Sequence, residues 1–204
     1  MSRLRKYLAI AVLGFLACAG AASAAEAPDG LVTRVARDVL NAVNAVRPGD
    51  RRGLISVVEE KILPYVDFQR ITSLAMGRSW RDATPDQQKA LTAQFRTLLI
   101  YTYVGALDRA RGMTIAVTPS RFQPSDTDVL VRSRVGPPHG AATELDYRLE
   151  KTAVGWKIYD VNIAGGWLIE TYKQKFAHEI NRGGIDGLIR VLTAQNRTLA
   201  ARMR

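Results

Sequence analysis

Two histidines and one carboxylate are the residues of this sequence best suited to acid–base chemistry. His139 lies in a Pro/Gly turn, and His178 lies on a predicted helix. Asp160 is the one carboxylate inside an otherwise apolar predicted strand, where it could serve as a general base together with His178. A buried aspartate paired with an arginine or with backbone N–H groups is much the commoner arrangement. A hydrolase or transferase thus stays open as an alternative, while the pattern favours a structural role for Asp160.

Other patterns that carry chemistry are weak. Neither histidine lies at metal-ligand spacing with a carboxylate, so the sequence predicts no metal site. Gly165-Gly166 lacks the surrounding fingerprint of a phosphate-binding loop. Trp80 and Trp167 could stack on a ligand, but aromatic residues at such positions more often pack within the protein. We therefore predict no catalytic residue and no cofactor.

The segment from Thr143 to Tyr172 predicts a β-hairpin that leads directly into a helix. Apolar and charged residues alternate over residues 143–150, which is typical of a strand with one buried face. A tight turn at 152–155 precedes a second strand at 156–163, rich in aromatic and branched residues. After a glycine pair, apolar residues recur at helical spacing from Leu168. The helix can then cover the apolar face of the hairpin.

The remaining elements predict an α+β fold in a single domain, residues 25–204. Thr84, Pro85 and Gln87 form a capping-box pattern at the start of the longest helix. Apolar periodicity predicts helices over residues 31–46, 54–63, 67–75, 84–109, 168–180 and 185–199, and two further strands near 113–117 and 129–135. Residues 78–81 are expected to form a loop. This order favours an antiparallel sheet of about four strands packed against several helices.

The N-terminal region has the organisation of a secretory signal peptide. Three basic residues within Met1–Lys6 precede an apolar run, and Ala22-Ser23-Ala24 is a cleavage pattern. We predict cleavage near Ala24, which makes residues 1–24 the signal peptide. Acylation of Cys18 is a competing interpretation, but Gly14–Ala17 lacks the leucine expected three positions before such a cysteine. An exported protein without further cysteines must be stabilised by its core.

The net charge is strongly positive and suggests an anionic partner. The full chain carries +10, and removal of Arg3, Arg5 and Lys6 with the signal peptide leaves +7. A lipid surface or an acidic protein fits this charge, whereas export argues against nucleic acid. The same excess could simply aid solubility.

Apolar residues are concentrated where the predicted sheet meets the long helix. Periodicity alone does not distinguish a filled core from a hollow one, so a structural adaptor with a filled core remains an alternative.

Four segments, in this order, resemble the MlaC family of periplasmic phospholipid-binding proteins, also called the toluene-tolerance family. They are Ile62 to Trp80, Ala83 to Tyr103, Trp156 to Phe176 and Ile180 to Leu192, and the likeness extends over roughly Leu31 to Asn196. The sequence departs from the usual family pattern at Ala164-Gly165-Gly166-Trp167, which concerns the joint between the sheet and the next helix.

The resemblance implies a twisted antiparallel sheet against helices, with the acyl tails of a diacyl phospholipid in an apolar cavity between them. It implies transport rather than catalysis, with phospholipid as cargo and no cofactor. The implied partners are an outer-membrane lipoprotein–porin complex and the MCE-domain subunit of an inner-membrane ABC transporter, and the implied role is maintenance of outer-membrane lipid asymmetry. The rival class is an exported hydrolase using Asp160 and His178.

The pattern and the resemblance together give a set of candidate lipid-binding residues. They belong to the predicted long helix, the strands and two shorter segments: Val66, Leu74, Leu98, Leu99, Tyr103, Leu107, Ile115, Val117, Val131, Leu145, Tyr147, Leu149, Trp156 and Ile158. Leu99 and Leu145 are the two residues at which added volume should exclude a tail. Arg109 and Arg111 could face a phosphate or simply complete a solvated helix end.

Overall fold

The described part of the chain forms six α-helices and a five-stranded sheet. The computed structural model describes residues 26–203, so the predicted signal peptide and Cys18 lie outside the described residues. In chain order the elements are α1 (Pro28–Ala45), α2 (Arg51–Lys61), α3 (Phe68–Met76), α4 (Ser79–Asp82), α5 (Pro85–Arg109), β1 (Thr114–Val117), β2 (Asp128–Gly136), β3 (Thr143–Thr152), β4 (Gly155–Ile163), β5 (Gly166–Trp167) and α6 (Leu168–Ala201). Within these residues, no helix is both long and apolar enough to cross a membrane.

The sheet is an antiparallel meander in the order β1-β2-β3-β4-β5. The later strands are connected by short turns: one of two residues joins β3 to β4, and another of two residues joins β4 to β5. Gly155 has a positive φ of 107° at the first turn, a conformation that glycine adopts without a steric penalty. The predicted α+β fold with an antiparallel sheet is confirmed.

Capping residues set the starts of the helices. Thr84 accepts a hydrogen bond from the Gln87 backbone while the Gln87 side chain accepts from the Thr84 backbone, so the predicted capping box is present. The Asp67 carboxylate caps α3 in the same manner through the Arg70 backbone N–H. In α6, Gly184 departs from helical geometry with φ of 67°, which confirms the predicted division of the C-terminal region.

Three details differ from the sequence-based expectation. Residues 79–82 form the short helix α4 rather than a loop. The sheet has a fifth strand, β5, which is too short for periodicity to reveal. The pairing of β3 with β4 shifts between Arg148 and Leu149, so Tyr159 is an extra residue on β4 and forms a β-bulge.

The buried apolar residues form two separate clusters. The first cluster joins α1 and α2 to one face of the sheet and includes Val104 from α5. The second cluster joins α3, α5 and α6 and includes Phe95, whose ring lies 4.7 Å from that of Tyr172 and 4.8 Å from that of Phe176. Helix α5 contributes to both clusters, and Val66 packs against both from the segment that precedes α3. The sheet therefore packs on helices at the first cluster, while the second is mainly helical.

Candidate functional site

The apolar face of the sheet is covered at one end and half-open at the other. At the covered end, Leu149 is fully buried and pairs with Val129 and Ile158, which are buried as well. Further along β3 and β4 exposure increases, since Tyr147, two residues from Leu149, and Val161, three residues from Ile158, are only half-buried. On β2 the adjacent Val131 stays fully buried. At the next position, Leu145 is half-buried and its partner Ile163 is 36% exposed. We call this end, formed by Leu145, Tyr147, Val161 and Ile163, the open end of the sheet face.

Half-buried apolar residues of other elements flank this region. Leu107 from α5 and Val117 from β1 pack against the same cluster as Tyr147 and Val161. Tyr103 packs against the second cluster, one helical turn before Leu107. Solvent-accessible apolar surface next to a packed core is the arrangement expected where an apolar ligand completes the core.

The structure places the candidate residues in three environments. Six are buried in the clusters, namely Leu98, Leu99, Val131, Leu149, Trp156 and Ile158. Seven are half-buried, namely Val66, Tyr103, Leu107, Ile115, Val117, Leu145 and Tyr147. Leu74 is 40% exposed on α3. Leu98 and Leu99 belong to the helical second cluster, away from the strand residues of the first.

Two residues of the open end escaped sequence analysis. Val161 and Ile163 lie opposite Tyr147 and Leu145 across the β3–β4 pair. Strict alternation from Trp156 would place Val161 on the other face of the sheet. The extra residue at the Tyr159 bulge reverses the alternation, so Val161 and Ile163 lie on the same face as Tyr147 and Leu145. The strong β-propensity of residues 156–163 indicated a strand, but propensity does not locate a bulge within it.

A surface groove of about 760 Å³ lies between α3, α5 and the β3–β4 turn. Its lining combines apolar residues such as Phe68, Trp80 and Val154 with the basic residues Lys89 and Arg96. Val66 is the one candidate residue that lines it. The groove therefore differs from the predicted apolar cavity, which stays a prediction.

Asp160 has a structural environment. Its side chain is fully buried, and its Oδ1 accepts hydrogen bonds from the backbone N–H groups of Val161 (2.9 Å) and Ile169 (3.1 Å). Ile169 lies in the first turn of α6, so the carboxylate caps that helix. Arg148 donates to Oδ2 at 3.3 Å and its guanidinium lies 4.0 Å from the centre of the Trp167 ring. Burial outweighs these contacts and raises the pKa of Asp160 above its usual range.

His178 is too far from Asp160 to act with it. The carboxylate accepts from the backbone N–H of Ile169, and His178 lies nine positions further along α6. Nine residues correspond to about 13 Å of helix and two and a half turns, which puts the exposed His178 on the opposite side of α6. No group of three His, Cys, Asp or Glu residues within 26–203 is arranged to hold a metal ion. The geometry thus gives no support to the hydrolase alternative.

Arg111 performs neither of the two roles considered for it. Its guanidinium donates to the backbone carbonyls of Val43, Val46 (2.6 Å) and Arg47 (3.1 Å), and it also binds Asp108 at 2.8 Å. These carbonyls belong to the C-terminal end of α1, where unpaired acceptors and the helix dipole favour a cation. Arg111 therefore fastens the end of α5 to the end of α1.

Comparisons with known proteins agree with this architecture. The family described as "MlaC protein" matches residues 32–194. The chain belongs to the MlaC family. The resemblance inferred from the four sequence segments is thereby confirmed.

Individual relatives of the MlaC type carry names that describe lipid transport or solvent tolerance. The intermembrane phospholipid transport system binding protein MlaC of Haemophilus influenzae is 24% identical over 143 residues, covering 69% of this chain and 67% of that protein. The toluene tolerance protein ttg2D of Pseudomonas putida is 27% identical over 124 residues, covering 60% of this chain and 57% of that protein. The match to ttg2D thus spans less than two thirds of its length.

A solved structure gives a stronger match within the MlaC family. It is the phospholipid-binding protein from Ralstonia solanacearum in complex with a phospholipid. The two chains are 45% identical with a TM-score of 0.79, and the match covers 84% of this chain and 98% of the other. This agreement confirms the fold.

The joint between β4 and β5 is a strained two-residue turn. Ala164 has φ of 50° and Gly165 has φ of 92°, and Ile163 pairs with Gly166 across the turn. The Asn162 side chain accepts a hydrogen bond from the Gly165 backbone at 2.8 Å and supports this geometry. The turn delivers the chain through β5 into α6, directly beside the Asp160 cap.

Proposed function

We propose that the protein is a non-enzymatic phospholipid carrier that holds the acyl tails of a diacyl phospholipid against the open end of its sheet face. The observation that carries this proposal is the 45% identity to a protein solved with bound phospholipid. The half-buried apolar surface around Leu145 and Tyr147 supports it, because this chain offers apolar area that its own side chains cover only in part.

The binding site in this proposal is an apolar cavity at the junction of sheet and helices. Its proposed lining is the set predicted from the sequence: Val66, Leu74, Leu98, Leu99, Tyr103, Leu107, Ile115, Val117, Val131, Leu145, Tyr147, Leu149, Trp156 and Ile158. The half-buried members are those that a tail reaches first. The buried members must move apart before they contact a ligand, because protein interiors are close-packed.

The physical requirement on a carrier is to shelter both tails from water. Exposure of each methylene costs about 0.8 kcal/mol, so a lipid carried with its tails in water would not leave a bilayer. Transfer between a bilayer and an apolar cavity is close to neutral by the same measure. Docking partners can then decide where lipid is loaded and released.

The proposed route lies in the periplasm. After cleavage near Ala24, the protein would shuttle between an outer-membrane lipoprotein–porin complex and the MCE-domain subunit of an inner-membrane ABC transporter. This role would maintain outer-membrane lipid asymmetry. Support comes from the family membership, from the Haemophilus relative named for an intermembrane phospholipid transport system, and from the signal-peptide pattern.

Transfer between vesicles tests the carrier function. Donor vesicles containing a self-quenched fluorescent phospholipid are mixed with unlabelled acceptor vesicles and with residues 25–204 of the protein. We expect fluorescence to rise in proportion to protein concentration, without loss of acyl chains from the lipid. A transfer rate that stays at the spontaneous rate at every protein concentration would contradict the proposal. Release of fatty acid would instead support the hydrolase.

A further inference from the structure

Two hydroxyl groups that are buried or half-buried lie among apolar residues of the sheet face near its open end. Ser133 on β2 is 2% exposed, and its Oγ donates to the backbone carbonyl of Leu145 at 2.9 Å. Tyr147 on β3 lies two residues from Leu145 and faces Val131 and Val161 across the adjacent strands. Val131, Leu145 and Val161 around them are aliphatic, so these sheltered hydroxyl groups are local exceptions that call for a role.

The phenol of Tyr147 is the available donor of this pair. A serine hydroxyl has a single proton, and the Ser133 proton is committed to the Leu145 carbonyl. Tyr147 lies on the same face in the neighbouring pair with Val131 and is half-buried, and none of the side-chain hydrogen bonds within the described residues uses its hydroxyl. Burial raises the pKa of Tyr147, so its O–H remains protonated and able to donate at neutral pH.

The depth of this hydroxyl matches a particular part of a phospholipid. Tyr147 lies two strand residues inside Leu145, which corresponds to about 7 Å along the strand. In a diacyl phospholipid the ester carbonyls lie between the phosphate and the acyl chains, so they are the last polar atoms to enter an apolar site. A carbonyl buried there without a donor loses its hydrogen bond to water.

We propose that the Tyr147 hydroxyl donates a hydrogen bond to an ester carbonyl of the bound lipid and makes the site selective for ester-linked over ether-linked glycerophospholipids. This inference rests on the proposed carrier function. An ether oxygen is a weaker acceptor and is displaced from the carbonyl position, so it does not replace the contact. Selection would occur at the linkage and would leave the head group free to stay in solvent.

The test compares two lipids that differ only in this linkage. Lipid-free protein is loaded with a fluorescent phospholipid, which is displaced by dioctanoyl phosphatidylglycerol or by its dioctyl ether analogue. We expect the diester to bind about five-fold more tightly, which corresponds to about 1 kcal/mol for one net hydrogen bond. Tyr147→Phe should abolish this preference, because diester binding should fall toward the level of the diether.

Tyr159→Phe is the matched control. It also removes one tyrosine hydroxyl from the sheet, but that hydroxyl binds Asp128 at 2.8 Å on the other face. It should retain the preference for the diester. Equal affinity of the wild type for both lipids would overturn the proposal, as would a preference that survives in Tyr147→Phe. Failure of the wild type to bind either lipid would instead overturn the carrier function itself.

Discussion

Replacement of Leu145 by tryptophan should block lipid binding while it spares the fold. Leu145 is half-buried, and its cross-strand partner Ile163 is 36% exposed, so a larger ring has space at the open end. The added volume should cost less than the about 1–3 kcal/mol of an overpacked core, because the ring can extend toward solvent. The indole would occupy the space proposed for a tail. Exclusion of roughly three methylenes would weaken binding by about 2.4 kcal/mol, or about 60-fold.

Leu99→Trp provides the comparison, because the same change falls in a different environment. Leu99 is 8% exposed in the helical second cluster with Leu98 and Phe95, both of which are essentially buried. Extra volume in a packed core costs about 1–3 kcal/mol. For a domain of this size, each kcal/mol lowers the melting temperature by about 2–4 °C.

Both properties should be measured on the same protein samples. The melting temperature reports folding, and the amount of phospholipid extracted from each purified variant reports binding. We expect Leu145→Trp to melt like the wild type with little bound lipid, and Leu99→Trp to melt at a lower temperature. Normal lipid content in folded Leu145→Trp would place this residue outside the site. Strong destabilisation of Leu145→Trp would show that the open end is a filled core.

Further predictions concern three residues of the protein framework: Asp160, Arg111 and Ala164. Asp160→Ala should destabilise the protein by about 1–3 kcal/mol, because the Ile169 N–H loses its acceptor. The pKa of Asp160 is raised in the folded state, so its contribution to stability is lost as pH rises through that pKa. In urea titrations at several pH values, the free energy of unfolding of the wild type relative to Asp160→Asn should therefore be greatest at acidic pH. Arg111→Met should lower the free energy of unfolding in urea by about 1.5–3 kcal/mol. Arg111→Lys should retain only part of this stability, because lysine lacks the planar set of donors. Ala164→Gly should raise stability by about 1 kcal/mol in thermal unfolding, since glycine adopts the positive φ of this turn without strain, and no gain there would contradict the strained turn.

Local signals in the sequence were sufficient for most of the helices and strands. The Thr84 capping box and the alternation around Leu145, Tyr147 and Leu149 each depend on residues within one turn or one strand, and the structure contains both. Gly184 divides the C-terminal helix as predicted, because a positive φ is a property of a single residue.

Features that depend on long-range packing were not predictable in the same way. The carbonyl partners of Arg111 lie more than 60 residues earlier in the chain, so its capping role has no local signature. The bulge at Tyr159 changes which β4 residues face the first cluster, and propensity does not fix register. The assignment of Leu98 and Leu99 to a second cluster likewise required knowledge of how α5 packs against α6.

The central claim is that this chain holds a phospholipid, and native mass spectrometry tests it most directly. Residues 25–204 would be purified mildly and measured before and after incubation with phospholipid vesicles, alongside Leu145→Trp. We predict a wild-type species heavier than the polypeptide by the mass of a diacyl phospholipid, and a strongly reduced amount of that species in Leu145→Trp. A wild-type protein that stays lipid-free even after incubation would contradict the claim.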